Sequence, residues 1–169
     1  MAELTKKERL QPSLLDRLTD DEPEAQQESR EKRVISPGRL RDCVRRDLTW
    51  LFNATNLAAV QNLQSPEVLR SVLNYGLPDL AGRTTSSVDT HALEQLLCQV
   101  IWDFEPRLIK NSVKVRVIAD EQKMNHNAMS FDIDAELWAQ PLPLRLFLRT
   151  EIDLESGGVH VTDLGSQAR

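Results

Sequence analysis

Residues 129–137 read MSFDIDAEL, a stretch in which apolar residues alternate strictly with polar or acidic ones. The same period of two runs through residues 113–117 (VKVRV) and 144–154 (LRLFLRTEIDL). Alternation of this kind sorts the side chains onto the two faces of a strand. After a glycine turn at residues 156–158, Val159 to Val161 can form a short last strand. Four strands joined by short links predict an antiparallel meander.

Upstream of these strands, the apolar residues recur at helical spacing. Three helices are predicted, from Pro37 to between Phe52 and Asn56, from Ser65 to Asn74, and from about Thr90 to Phe104. Ser36 and Ser65 each precede a proline, which is typical of a capped helix start. Helices first and strands afterwards is the α+β order. We therefore expect an α+β fold, with N-terminal helices packed on a mainly antiparallel sheet of about four strands formed by the C-terminal half.

The N-terminal region is highly charged and poor in apolar residues, apart from Leu14, Leu15 and Leu18. These leucines share one face of a short predicted helix, which Ser13 can cap. Their stripe either folds back onto the core or enters the groove of a partner protein. Asp20 to Arg33 is typical of a solvated linker or of a helix that orders only on docking. We predict a flexible docking segment and linker over residues 1–36 and a single α+β domain over 37–169.

Composition limits the classes of function. The 169 residues carry a formal net charge of −5, which argues against nucleic acid or an anionic membrane surface as the main partner. The apolar runs fall far short of the roughly 20 residues that span a bilayer, and the charged N-terminus lacks the apolar core of a secretory signal. Cys43 and Cys98 are too few for a disulfide framework. The expected compartment is the cytoplasm, with both thiols reduced.

Cofactor and metal motifs are absent from the sequence. His91, His126 and His160 lie in different predicted elements, and neither cysteine has a second ligand at zinc spacing. No glycine-rich phosphate-binding or dinucleotide-binding motif occurs. We therefore expect no cofactor.

A row of carboxylates is the best candidate for catalysis. Asp132, Asp134 and Glu136 share one face of a predicted strand, in steps of about 7 Å. A glycosidase needs two carboxylates, one with its pKa raised in an apolar pocket. This row instead lies on the polar face, where Arg145 and Arg149 can pair with it across strands. Ion pairing accounts for the row, and no catalytic residue is predicted.

The segment FEPRL at residues 104–108 lies where the helical period gives way to the strand period. Pro106 removes a backbone donor and moves Glu105 away from helical geometry. Glu105 and Arg107 therefore flank a rigid corner. Two alternatives stay open: an ion pair within the chain at a helix end, or a charged anchor for a partner whose rigidity lowers the entropy lost on binding.

Four stretches in order carry a resemblance to a known family: PSLLDRL (12–18), RDLTWLFN (46–53), SVLNYGLPDL (71–80) and EPRL (105–108). They resemble the TssE family of baseplate subunits in bacterial type VI secretion systems. That family is related to the wedge protein of contractile phage baseplates that was historically called a lysozyme. The stretch from Ala119 to Ala128 and the C-terminal tail carry no matching motif.

The resemblance implies a structural subunit without enzymatic activity, which links baseplate wedge proteins to the first ring of the contractile sheath. Its implied partners are the baseplate subunits TssF, TssG and TssK and the sheath subunits TssB and TssC, without nucleic acid or direct membrane insertion. Its implied place is the cytoplasmic baseplate docked at the membrane. The alternative function is a lysozyme-like glycosidase that cleaves peptidoglycan.

The resemblance also indicates where partners bind. The family's Glu-Pro-Arg corner, here Glu105, Pro106 and Arg107, is implicated in holding the baseplate together. Leu14, Leu15 and Leu18 are then expected to form a docking peptide. The free edge of the last strand, near Val159 to Val161, is expected to accept a strand from a sheath-like subunit.

Overall fold

The structure, a computed structural model, describes residues 13–19, 23–24, 36–82, 89–118, 128–139 and 142–165. Within these residues the helices are α1 (Leu14–Leu18), α2 (Pro37–Asn53), α3 (Pro66–Leu69) and α4 (Thr90–Phe104). The strands are β1 (Lys114–Ile118), β2 (Ala128–Leu137), β3 (Leu144–Asp153) and β4 (Val159–Asp163). Most of the predicted N-terminal docking segment and linker lies outside the described residues. The predicted α+β fold is confirmed.

The four strands form one antiparallel sheet in the order β1-β2-β3-β4, which is the predicted meander. The register places Asp132 of β2 between Arg116 of β1 and Arg149 of β3. Because apolar and polar residues alternate, β2 and β3 bury every second side chain and leave the others on a partly exposed polar face. The pattern read from the sequence therefore separates a core face from a polar face.

Helices α2 and α4 cover the core face of the sheet. Helix α2 packs mainly on β4, and α4 packs on β1. The largest fully buried side chains come from both layers: Phe131, Leu48, Leu51, Leu97, Ile101, Ile133, Leu137, Leu146, Leu148 and Ile152. The Phe52 ring meets the Phe131 ring edge to face, with 5.8 Å between centroids. Helices and sheet thus share one hydrophobic core.

Side-chain caps define where the two long helices begin. The Ser36 hydroxyl accepts a hydrogen bond from the Arg39 N–H at 3.2 Å, one turn into α2. A carboxylate oxygen of Asp89 accepts from the N–H groups of His91 and Ala92 at the start of α4. Both starts agree with the sequence prediction.

The predicted second helix is wrong as a single element. The chain forms the short α3 and then a separate 3-10 turn over Val72–Asn74. The break follows from competing side-chain hydrogen bonds. The Ser71 hydroxyl donates to the Val68 carbonyl at 2.9 Å, and the buried Asn74 amide donates to the Leu69 carbonyl and accepts from the Ala58 N–H. These bonds replace the continuous helical ladder that is predicted from the start signal at Ser65 to the stop at Asn74.

Candidate partner-binding site

The corner at Glu105 to Arg107 is fixed by its own backbone and by the end of β2. The Glu105 N–H still donates to Ile101 in α4, and the Leu108 N–H donates to the Glu105 carbonyl. The Trp138 N–H donates to the Arg107 carbonyl at 2.8 Å, just beyond β2. The corner is therefore bonded on one side to a helix and on the other to the sheet.

A buried ion pair closes the corner. Arg107 donates from Nε to Glu105 Oε1 at 2.7 Å and from Nη2 to Oε2 at 2.5 Å, while its backbone N–H also donates to Oε1. Only 3% of the Glu105 side chain is exposed. Burial by itself would lower the pKa of Arg107, but the hydrogen bond and charge of Glu105, followed by those of Asp47, raise it above the usual range. The ion pair within the chain, one of the two alternatives for this corner, is present.

The ion pair continues into an alternating chain of charges that reaches α1. Arg107 Nη2 also contacts Asp47 Oδ2 at 2.6 Å, and the other oxygen of Asp47 accepts from Arg46 Nε at 2.8 Å. Arg46 Nη1 in turn contacts Asp16 Oδ1 in α1 at 2.5 Å. The order is Asp16–Arg46–Asp47–Arg107–Glu105. Each interior member touches two opposite charges, which offsets the cost of desolvation.

Helix α1 docks on α2 through a polar residue. Its N-cap Ser13 donates to the Asp16 carboxylate, whose side chain is only 6% exposed. Burial raises the pKa of Asp16, but hydrogen bonds from Arg46, Ser13 and Cys43 outweigh it and bring the pKa to about 2. The segment lies against the domain through this carboxylate, and not through the leucine stripe that one alternative places on the core.

The leucines of α1 do not enter the core. Leu14, Leu15 and Leu18 are 71%, 48% and 74% exposed. Their stripe therefore faces outward on a helix that is held in place from its polar side.

A groove of about 540 Å³ joins α1 to the corner. It is lined by Ser13, Leu15, Asp47, Leu48, Trp50, Leu51, Tyr75, Phe104, Glu105, Pro106 and Arg107. Trp50 is 49% exposed, and the Arg46 guanidinium lies 4.9 Å from its ring centroid. Tyr75 meets Phe104 edge to face at 5.4 Å. We call this feature the corner groove.

The corner groove brings together residues predicted from two distant parts of the sequence. Leu15 and all three residues of the corner line it, and Leu14 and Leu18 lie on the same short helix. The sequence prediction did not assign Asp47, Trp50 or Tyr75 to the site. The sequence nevertheless contained a clue to these three residues, because they lie within the stretches at 46–53 and 71–80 that carry the family resemblance.

Two members of the carboxylate row, Asp132 and Asp134, pair with arginines, as expected from the sequence. Asp132 accepts two hydrogen bonds from Arg149, at 2.9 and 3.1 Å, and Asp134 accepts two from Arg145, at 3.1 and 2.8 Å. The bonds from Arg145 lower the pKa of Asp134, which is the wrong direction for a general acid. Across the described ranges, no group of three His, Cys, Asp or Glu side chains is arranged to hold a metal ion.

The two edges of the sheet differ in how they are covered. At the β1 edge, the Val117 N–H donates to Glu94 Oε1 at 2.9 Å, and the Val115 N–H bonds to the Cys98 sulfur, both on α4. At the β4 edge, the side chain of Asn53, at the end of α2, bonds to the backbone of Val159. A helix therefore lies at each edge: α4 bonds to two residues of β1, and α2 bonds to Val159 of β4.

Among the helices that the structure describes, none combines the length and apolar character needed to cross a bilayer.

A sequence profile of the family described as baseplate wedge protein gp25 matches residues 38–142. The matched range runs from α2 to just before β3 and contains the corner. No curated protein matches the chain, and no solved structure matches it. Because the profile covers well over half of the residues, the chain belongs to the gp25 family of baseplate wedge proteins, which are structural components of baseplates.

Proposed function

We propose that this chain is a structural subunit of a type VI secretion baseplate that links wedge proteins to the first ring of the contractile sheath. Its place is the cytoplasmic baseplate docked at the membrane. Membership of the gp25 family supports the baseplate role. The TssE-like stretches support the choice of secretion system, and the corner groove and the β4 edge are its contact surfaces.

One observation carries the proposal: the leucine helix and the Glu-Pro-Arg corner lie side by side at one groove. The charge chain from Asp16 to Glu105 holds α1 beside the corner, so both can contact one partner. The exposed leucines and Trp50 together form an apolar surface of the kind that protein partners cover. The proposed partner at this surface is a baseplate subunit among TssF, TssG and TssK.

The charged residues of the corner stabilise this surface, and they do not need to form ion pairs with the partner. Glu105, Arg107 and Asp47 already satisfy one another, so binding leaves no unpaired charge in the interface. Their bonds also hold Pro106, which is exposed, in a fixed position. A preorganised contact loses less entropy on binding. The corner acts in this proposal as a rigid support.

The sheath subunits TssB and TssC are the proposed partners at the β4 edge. A strand added there would continue the antiparallel sheet through main-chain hydrogen bonds. The β1 edge is a poorer candidate, because the side chains of Glu94 and Cys98 already occupy its outward N–H groups.

A pull-down from cells that carry the secretion cluster tests the corner groove. In the test variant, Leu14→Ser, Leu15→Ser and Leu18→Ser are combined. The matched control combines Val60→Ser, Val72→Ser and Leu73→Ser, which are 75%, 80% and 66% exposed and lie away from the groove. We expect the test variant to lose TssF, TssG and TssK while its melting temperature stays that of the wild type, and the control to retain them.

Two results would contradict this proposal. Equal recovery of baseplate subunits by both variants would show that the leucines are not a docking surface. Release of soluble sugars from purified peptidoglycan by the wild-type chain, but not by a heat-denatured sample, would support the glycosidase instead.

A further inference from the structure

The outward-facing backbone groups of β4 follow from its register with β3. The Asp153 N–H donates to the Gly158 carbonyl at 2.9 Å, and the Leu164 N–H donates to the Phe147 carbonyl at 3.0 Å. Residues of an antiparallel strand alternate between groups that face the partner strand and groups that face away. Val159 and Val161 therefore direct their N–H and C=O groups away from β3, toward the free edge.

Asn53 fills the first of these outward positions. Its Oδ1 accepts from the Val159 N–H at 2.9 Å, and its Nδ2 donates to the Val159 carbonyl at 2.8 Å. The same Nδ2 also donates to the Thr49 carbonyl at 2.7 Å, which holds the amide against the end of α2. An amide that accepts from and donates to one residue reproduces the contacts that a neighbouring strand would make.

Val161 is the next outward position, and the residue as a whole is 7% exposed. Among the described residues, none forms a hydrogen bond to its outward N–H or C=O. Beyond the end of β4, Arg41 of α2 donates from Nη2 to the Arg145 carbonyl of β3 at 2.7 Å. Side chains from the two ends of α2 therefore lie near the two ends of β4, with Val161 between them.

We propose that Asn53 is a positioning residue that sets the register of a strand added at the β4 edge. This inference rests on the strand addition in the proposed function. An incoming strand pairs at Val161 and stops before Val159, because the Asn53 amide already occupies the groups of Val159.

Without the amide, pairing can also begin at Val159. A shift of two residues keeps every side chain on its own face of the sheet, so the alternating pattern does not oppose it. Loss of Asn53 should therefore yield two registers where the wild type has one. The incoming strand itself is an extended segment of TssB or TssC.

Photo-cross-linking in assembled complexes tests this inference. A photo-reactive residue is placed at position 162, which is exposed and adjacent to Val161 on β4. The full chain is assembled with the baseplate and sheath subunits in cells, and the cross-linked sheath residue is identified by mass spectrometry. The variants are Asn53→Ala, which frees both groups of Val159, and Thr49→Ala as control, which loses only the hydroxyl bond to Arg45.

Amide hydrogen exchange of the isolated chain shows that the variant acts as designed. We expect the Val159 amide to exchange faster in Asn53→Ala than in the wild type, while the amides of β2 and β3 keep their protection. In the assembled complex, the wild type and Thr49→Ala should cross-link to a single sheath position. Asn53→Ala should give a second position two residues away.

Two outcomes overturn the inference, and they can be told apart. A single unchanged sheath position in Asn53→Ala, with Val159 exchange accelerated, would show that Asn53 does not set the register. A wild-type chain that recovers baseplate subunits but forms no cross-link to any sheath subunit would overturn strand addition itself, and the role of Asn53 with it.

Discussion

At the residue scale, the corner groove depends on five charged side chains that neutralise one another in sequence from Asp16 to Glu105. The interior members are shared: each Asp47 oxygen serves a different arginine, and each arginine serves two carboxylates. The stability of such a series of ion pairs is sensitive to the loss of any one member, because the remaining partner is left charged and partly buried. The two predictions at this scale follow from that sensitivity.

Replacing Arg107 should destabilise the domain strongly. In Arg107→Ala, the Glu105 carboxylate, 3% exposed, loses its cation, and we expect a loss of about 3 kcal/mol in the free energy of unfolding. Adding Glu105→Gln removes the unpaired charge at nearly constant shape, so the double variant should be at least about 1 kcal/mol more stable than Arg107→Ala alone. Urea denaturation of the wild type, both single variants and the double variant measures this coupling. Strictly additive losses would contradict the role of the ion pair.

The docking of α1 should weaken in acid. The pKa of Asp16 is about 2 in the folded chain, against an ordinary value of 3.8. A depressed pKa stabilises the folded form above the ordinary value, and this contribution is lost as the pH falls toward 2. The difference corresponds to stabilisation on the order of 2 kcal/mol. Methyl NMR of Leu14 and Leu18 should report undocking between about pH 4 and pH 2.

Asp16→Asn is the matched variant for this titration. We expect its α1 to be undocked to a similar extent at neutral pH and at low pH. A wild-type α1 whose methyl signals stay unchanged down to pH 2 would show that Asp16 does not hold the helix.

At the scale of elements, side chains of the helices control the two sheet edges. Helix α4 closes the β1 edge through Glu94 and Cys98, and α2 closes one position of the β4 edge through Asn53. Exposed edges invite pairing with other chains, so proteins usually cover or blunt them.

Removing Glu94 should open the β1 edge. In Glu94→Ala, the Val117 N–H loses its acceptor, and we expect faster amide exchange at Val117 and a loss of about 1 kcal/mol in stability. The control is Gln99→Ala on the same helix, whose side chain contacts Asp103. It should leave the exchange of Val117 unchanged. Equal protection of Val117 in both variants would contradict closure by Glu94.

At the scale of the whole molecule, the helix layer and the sheet share one core, whereas α1 lies outside it. Leu48 in α2 is fully buried, so Leu48→Ala should cost about 2–5 kcal/mol. Leu18 is 74% exposed, so Leu18→Ala should change stability by no more than about 0.5 kcal/mol. Thermal denaturation followed by circular dichroism measures both. Comparable losses in the two variants would place the α1 leucines in the core.

Local patterns in the sequence were sufficient for the fold class. The period of two predicts all four strands and their order as a meander, because short links leave antiparallel pairing as the simple choice. The cap at Ser36 predicts the start of α2, because a cap is a local contact, and the helical spacing of apolar residues predicts the start of α4 near Thr90. The prediction of a single second helix was wrong because Asn74 bonds to Ala58, a residue 16 positions away, which no local pattern records.

The sequence by itself determined the two long helices, the strands, the two faces of the sheet and the residues of the corner, since each depends on neighbours within a few positions. Only the tertiary structure decided which distant groups meet. Arg107 bonds to Asp47, which is 60 positions away in the sequence, and Asn53 bonds to Val159, which is 106 positions away. These pairings arise when α2 packs beside the sheet and its side chains reach elements far along the chain. No periodicity within a segment records that packing, because it is set by how the shared core closes.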